Sequence, residues 1–254
     1  MKYEIKVGDG VTIVVVGDIH EHEEQFDKLV DEIKPSEKRL LVSVGDIYDK
    51  GFGKNVAESI TDKLRKLVEK GHAYVIKGNH ELSNIRWNRR NHTMTEQLRW
   101  WDNQPLALVF TFPNKLRITV VHGGVLPSYS WDDIASNLDM CYIRHVDENG
   151  QKVRRFKKFE DNKCIMVMEK PGKVWHELYD GRFGYIASGH DAQKDGIAKF
   201  YKYSCNLDTA VYHTGKLTAQ VFESGMKKDL LTFSGTPKYP DLEEMQRLMY
   251  KGRI

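Results

Sequence analysis

The sequence predicts an α/β fold built on parallel strands, and three observations carry that prediction. Runs rich in β-branched and leucine residues recur at 11–16, 39–44 and 73–76. Stretches with apolar residues at helical spacing lie between them, and each run leads into a glycine followed by Asp or Asn. Strands alternating with helices in this order make a sheet of parallel strands covered by helices. At 254 residues with 40% hydrophobic side chains, the chain can bury a substantial core.

Taken in order, Val11-Thr12-Ile13-Val14-Val15-Val16 is apolar without alternation, the mark of a strand buried on both faces. A helix is expected over Glu23 to Ile33, where Phe26, Leu29, Val30 and Ile33 share one face and Pro35 closes the element. Arg39 to Val44 repeats the buried-strand pattern and enters Gly45-Asp46. An amphipathic stretch from about Asn55 to Lys70 comes next, then Ala73 to Ile76 leads to Gly78-Asn79-His80. Arg117 to Val121 runs into His122-Gly123-Gly124. Short strands are expected at 184–187, 197–200, 204–207 and 217–222, and their closeness in sequence favours antiparallel pairing. Leu242, Met245, Leu248 and Met249 predict a closing helix at about 240–252 that packs on the body. No repeat and no Pro/Gly/Ser linker divides the chain, so one domain over 1–254 is expected.

Composition excludes several classes. The longest apolar run holds six residues, far short of the ~20 that span a bilayer. The first residues, Met1-Lys2-Tyr3-Glu4-Ile5-Lys6, carry no apolar signal core, so a cytoplasmic protein with no membrane partner is expected. Three cysteines, none closely spaced, provide neither a disulfide framework nor a thiolate zinc site. A net charge of +3 does not announce nucleic-acid binding.

The chemistry lies at the ends of the strands: Gly17-Asp18-Ile19-His20, Gly45-Asp46, Gly78-Asn79-His80, Val121-His122-Gly123 and Gly189-His190. Loops at the carboxyl ends of strands in an open α/β sheet converge on one crevice, so these residues can meet across more than 170 positions. A single Asp or His after a strand is more often a cap or a structural hydrogen-bonding group. Two aspartates, an asparagine and three histidines together form an oxygen/nitrogen donor set suited to Mn²⁺, Fe or Zn²⁺. Six donors are too many for one catalytic ion, whereas two ions sharing a carboxylate fit in-line phosphoryl displacement.

These motifs occur in the order GDIH (17–20), GDIYDKG (45–51), GNHE (78–81), VHGG (121–124) and SGH (188–190). In this they resemble the calcineurin-like metallophosphoesterases, in particular the branch of Ser/Thr protein phosphatases and symmetrical diadenosine-tetraphosphate hydrolases. Cys205-Asn206-Leu207-Asp208-Thr209-Ala210 is similar to a late segment of that family. The resemblance implies a fold of two mixed β-sheets packed as a sandwich and flanked by helices, with two divalent metal ions, Mn²⁺ first, Fe or Zn²⁺ as alternatives. It further implies that Asp18, His20 and Asp46 hold one ion, and that Asp46, Asn79, His122 and His190 hold the other. His80 would be the general acid, with Asp49 fixing its tautomer, and a metal-bridging hydroxide would attack phosphorus in line. Asn79, Arg144 and Lys50 would bind the substrate phosphate. Lys50 stands where the family has arginine and lacks its bidentate fork. Glu21 and Asp191 also depart from the family pattern and are expected to bring extra carboxylates near the metals.

The implied function is a dinuclear metal-dependent phosphohydrolase of phosphomonoesters, first a Ser/Thr-type protein phosphatase. A dinucleoside-tetraphosphate hydrolase and a polynucleotide-end phosphatase are alternatives, so the partner is a phosphoprotein, a dinucleotide or a nucleic-acid end. From another class, a non-catalytic binding protein on the same fold is the rival, although no ligand or acid position is missing. Two basic stretches bear on the substrate: Arg86, Trp87, Arg89 and Arg90 with Arg99-Trp100-Trp101, and 152–158. Stacking of bases or steering of anions is one reading of them. The duller one, a solvated helix with core-packed tryptophans and a wet charged surface, is favoured.

Overall fold

The computed structural model describes residues 2–160, 163–239 and 241. Along the chain run β1 (Lys2–Lys6), β2 (Thr12–Val16), α1 (Glu23–Ile33), β3 (Arg39–Ser43), α2 (Lys54–Glu69) and β4 (Ala73–Val75). Then come α3 (Asn79–Arg90), α4 (Glu96–Asp102), β5 (Ala107–Thr111), β6 (Arg117–Val121) and α5 (Trp131–Ser136). The small strands β7 (His145–Val146) and β8 (Lys152–Val153) precede a hairpin of β9 (Arg155–Glu160) and β10 (Lys163–Met168). Next are β11 (Lys173–Val174), α6 (Trp175–Leu178), β12 (Tyr185–Ser188), β13 (Lys199–Phe200) and β14 (Ser204–Asn206). The last described elements are α7 (Val211–Thr214), β15 (Lys216–Glu223) and β16 (Met226–Ser234). The closing helix expected at about 240–252 lies outside the described residues, apart from position 241.

Two mixed sheets dominate. The five-stranded sheet has the order β16-β15-β2-β3-β4, with β2, β3 and β4 parallel and β15 antiparallel to β2. The six-stranded sheet has the order β1-β5-β6-β12-β14-β13. Within it β12 pairs parallel to both β6 and β14. The antiparallel pairing expected for this half is found for β13 with β14 and for β15 with β16. The long connections from 122 to 184 and from 189 to 203 allow the crossovers that parallel strands require.

The alternation of each strand accounts for the layers. Ile13, Val15, Val42 and Val44 face Leu108, Phe110, Ile118, Val120 and Ala187 in a core between the sheets. Val14, Val16 and Leu41 point the other way, onto Phe26, Leu29 and Ile33 of α1 and Ala57, Ile60 and Leu64 of α2. Outside the six-stranded sheet, Val121 and Ile186 pack with Ile134 of α5 and Trp175 of α6. Strands covered on both faces must be apolar throughout, which is why the runs stand out in the sequence. Their carboxyl ends are where polar residues resume, and there the two sheets meet.

Candidate metal centre

Each strand end delivers its side chains through a backbone that is sharply turned. His20 (φ 44°) and Asp46 (φ 53°) follow β2 and β3, and His190 (φ 71°) follows β12. A left-handed conformation costs a non-glycine residue of order 1–3 kcal/mol, and such residues gather where function needs them. The preceding glycines have a steric reason. A Cβ on Gly78 would stand 2.1 Å from Asp46 Oδ1, and one on Gly189 would stand 1.9 Å from Asp18 Oδ1.

All seven of the side chains expected at the centre come together. His20 Nε2 lies 3.8 Å from Asp18 Oδ2 and 3.8 Å from Asp46 Oδ2. On the opposite side of Asp46, His122 Nε2 stands 3.3 Å from Oδ1 and 3.0 Å from Asn79 Oδ1. Asp46, His122 and His190 offer atoms within 4.8 Å of one another, as do His20, Asp46 and His80. Asp46 thus stands between two groups of donors. His20 Nδ1 faces the carbonyls of Tyr48 and Asp49 at 3.1 Å, and His122 Nδ1 faces that of Val44 at 2.8 Å. Donation from Nδ1 leaves each Nε2 with a free lone pair, the arrangement found behind metal-ligating imidazoles.

His80 differs from the others although it is equally near Asp46, with Nε2 3.8 Å from Oδ2. Its side chain is 18% exposed, against 0–1% for those of His20, His122, Asp18 and Asp46, so it faces the cleft. Its Nδ1 lies 2.7 Å from Asp49 Oδ2, and Asn84 Nδ2 donates to the same oxygen. The expected His80–Asp49 pair is therefore formed.

The donor set fits divalent metal. Burial, together with repulsion from Asp208 and Asp46, drives the Asp18 carboxyl well above its ordinary range. Burial would raise Asp46 as well, but His122 and His80 hold it well below. Burial lowers His20 and His190, helped by Lys50 at the first and Arg144 at the second, which keeps both imidazoles neutral. Burial also raises Asp208, whose Oδ2, like His190 Nε2, has no hydrogen-bond partner among the described residues. Buried carboxylates beside neutral imidazoles are an electrostatic deficit that a divalent cation fills. Asp208 lies in the late segment that resembles the family, but it follows β14 without the glycine that marks the other positions, and no role at the metals was expected of it.

Glu81, which closes the GNHE motif, is a second residue to which the sequence assigns no role. Its buried carboxylate accepts the backbone N–H groups of Asp46, Ile47 and Gly78 at 2.7–2.8 Å and of Tyr48 at 3.3 Å. It thereby ties the turn after β3 to the start of α3. The extra carboxylates expected at the metals are otherwise engaged. Glu21 accepts from the amides of Asp49, Gly51 and Gly53, fixing that loop. Asp191 lies 3.5 Å from Arg144 Nε and 3.3 Å from a terminal nitrogen of Arg155.

Arg144 donates to the His190 carbonyl at 2.9 Å, and Lys50 Nζ lies 3.3 Å from His20 Nε2 and over the ring of Tyr212. Both line a cleft of about 910 Å³ that also includes His80, Asp49, Tyr239 and residues of the β9–β10 hairpin. Trp87 and Arg90 do not line it. Trp101 is buried and donates to the Thr61 hydroxyl, and Trp100 packs against the core, as the duller reading expects, whereas Trp87 is exposed and does not pack into it. For 152–158 the duller reading does not hold throughout, since Arg155 and Lys157 line the cleft.

A family model for calcineurin-like phosphoesterases matches residues 11–209. Among solved structures, a candidate diadenosine tetraphosphatase is similar at TM-score 0.67 and 20% identity, covering 92% of this chain and 98% of its own. A serine/threonine phosphatase from Saccharomyces cerevisiae with similarity to human phosphatase PP5 gives TM-score 0.54 and 16% identity, covering 94% and 85%. A cold-active protein-tyrosine phosphatase from a psychrophilic Shewanella gives 0.52 and 14%, covering 92% and 82%. At such identities the likeness shows the fold. No curated protein matches.

Proposed function

The chain belongs to the calcineurin-like phosphoesterase family and is a metal-dependent phosphoester hydrolase; from that premise we propose that it works with two divalent ions, Mn²⁺ first, at the centre described above. Asp18, His20 and Asp46 would hold one ion, and Asp46, Asn79, His122 and His190 the other, with Fe or Zn²⁺ as alternative occupants of the same mixed donor set. The observation that carries this reading is the position of Asp46, within 3.3 Å of His122 Nε2 on one side and 3.8 Å of His20 Nε2 on the other. When bound, the ions supply Lewis acidity at the phosphoryl oxygens and a nucleophile drawn from water at neutral pH.

The side chains do the rest. Arg144, oriented by the His190 carbonyl and Asp191, presents its remaining guanidinium donors to two oxygens of the phosphoryl group. Lys50 adds a point charge. His80, its Nδ1 held by Asp49, keeps Nε2 directed at the cleft and passes a proton to the departing oxygen. The nucleophile is water, so no side chain becomes phosphorylated. A phosphoprotein, a dinucleoside polyphosphate and a nucleic-acid end all offer this centre the same phosphoryl group, and the walls of the cleft must discriminate among them.

With Mn²⁺, the full chain is expected to hydrolyse p-nitrophenyl phosphate, and Asp46→Asn and His122→Ala to abolish turnover. Wild-type rates in either variant would reject the centre.

A further inference from the structure

One wall of the cleft is a basic hairpin whose chemistry the metal centre does not need. Arg155 and Lys157 lie two residues apart on β9 and so share one face of the strand, roughly 6.6 Å apart along it. Lys157 sits opposite Met166 in the β9–β10 register, and both line the cleft. Lys194, which follows the His190 loop, also lines it.

The cations outnumber the carboxylates available to them. Of the lining acids, Glu21 is taken up by three backbone amides and Asp49 by His80 and Asn84. Asp191 is shared between two guanidiniums, those of Arg144 and Arg155, which leaves a surplus positive charge. Lys157 and Lys194 form no ion pair with any described residue. A single phosphoryl group is already served by the metals, Arg144 and Lys50. Two lysines without an ion pair, and an arginine that shares its carboxylate partner with Arg144, in a cleft that already serves one phosphoryl group, suit additional phosphates on the same ligand.

We infer that Arg155, Lys157 and Lys194 form a second anion site that receives the neighbouring phosphates of a polyphosphate chain, so that the enzyme selects substrates in which the scissile phosphate continues into others. For turnover this rests on the phosphohydrolase reading; for binding it does not. Asp191 couples the two sites, because the carboxylate that aligns Arg144 also anchors Arg155. Lys157 and Met166 give the wall a mixed cationic and apolar surface, open enough for a nucleoside beyond the phosphates.

The test is calorimetric titration of the full chain, in buffer stripped of divalent metal, with inorganic tripolyphosphate and with orthophosphate. Tripolyphosphate should bind at least tenfold more tightly. The Arg155→Gln/Lys157→Gln double variant should lose most of that preference, and Lys157→Glu alone should lose part of it while leaving the Asp191–Arg155 pair in place. Adenosine triphosphate run in parallel shows whether a nucleoside adds affinity; weakening of both ligands by the variants supports the site. Equal binding of tripolyphosphate and orthophosphate, or an undiminished preference in both variants, would overturn it. So would a phosphopeptide flanked by aspartates that binds through the same residues more tightly than tripolyphosphate, since the wall would then serve a protein. Hydrolysis of p-nitrophenyl phosphate is read separately. Turnover without the preference removes the second site alone, and the preference without turnover removes the phosphohydrolase reading alone.

Discussion

At His80, two features that sequence alone leaves open are joined: a ring nitrogen facing solvent and a carboxylate behind it. The Asp49 contact of 2.7 Å fixes which nitrogen carries the outward proton. A general acid contributes about 10²–10⁴-fold, and only where the leaving group needs the proton. His80→Ala should therefore depress turnover of an alkyl phosphate by about that factor and of p-nitrophenyl phosphate far less. Equal losses in the two assays would remove the acid role. A different histidine contributes to acid stability. His176 is buried, stacked between Trp175 and Tyr201, with Nδ1 2.9 Å from the Ser204 hydroxyl. Burial pushes its pKa down to about 3. Since the unfolded imidazole titrates near ~6.5, the unfolded chain binds the extra proton between these values, and stability falls as pH drops through that window. From this group alone the loss at pH 5 is about 2 kcal/mol relative to neutral pH. His176→Phe keeps the stacking and should flatten the difference between denaturation curves recorded at pH 7 and pH 5; an unchanged difference would clear His176 of the effect.

Among elements, those buried on both faces were legible because an uninterrupted apolar run of five or six residues, bounded by polar and turn residues, matches the two-faced burial of a central strand and little else. The expected helix over 23–33 coincides with α1, and the strand near 39–44 with β3. Two outlying, charged strands were not legible. β1 reads Lys-Tyr-Glu-Ile-Lys, and β9 reads Arg-Phe-Lys-Lys-Phe-Glu, so charge masks the strand signal in both. The same masking hid Arg155 and Lys157, whose meaning depends on which cleft the hairpin overhangs. The metal-centre residues were legible because a glycine announces each turn after a strand, and close packing gives that glycine its cause. Asp208 and Glu81 lie within motif segments, but their roles were not legible: one lacks the preceding glycine, and the other acts on backbone amides that no sequence pattern displays. The glycine account has a direct check. Gly189→Ala forces a methyl group onto Asp18, at a cost of about 1–3 kcal/mol for overpacking, which for a chain of this size lowers the melting temperature by about 2–12 °C. Thermal denaturation alongside Mn²⁺ titration should show the loss of stability together with weaker metal binding. A variant with both unaltered would show that the close approach does not matter.

In the molecule as a whole, the centre joins two sheets whose facing surfaces pack mainly through apolar side chains. Asp18, His20 and Asp46 extend from the five-stranded sheet, and His122 and His190 from the six-stranded one. Metal binding at that seam should therefore stabilise the whole fold. Ligand at 100 times its dissociation constant adds about 2.7 kcal/mol, or about 5–10 °C in melting temperature. Differential scanning calorimetry with Mn²⁺ and with a chelator should show this gap, and coincident melting curves would mean that the seam holds no ion. The fold class was readable from its parallel strands, whereas the packing of the second sheet depends on contacts too distant in sequence for any local pattern to announce.

The amide of His190 bonds to the Asp18 carboxylate across 172 positions. A growing polypeptide therefore leaves the ribosome with its first acidic loops formed and nothing yet to close them. At ~5–20 residues per second, that interval lasts of order ten seconds or more. Until His122 and His190 have emerged, Asp18 and Asp46 lack the partners that complete the donor set, so a complete centre can form only late in synthesis or after release.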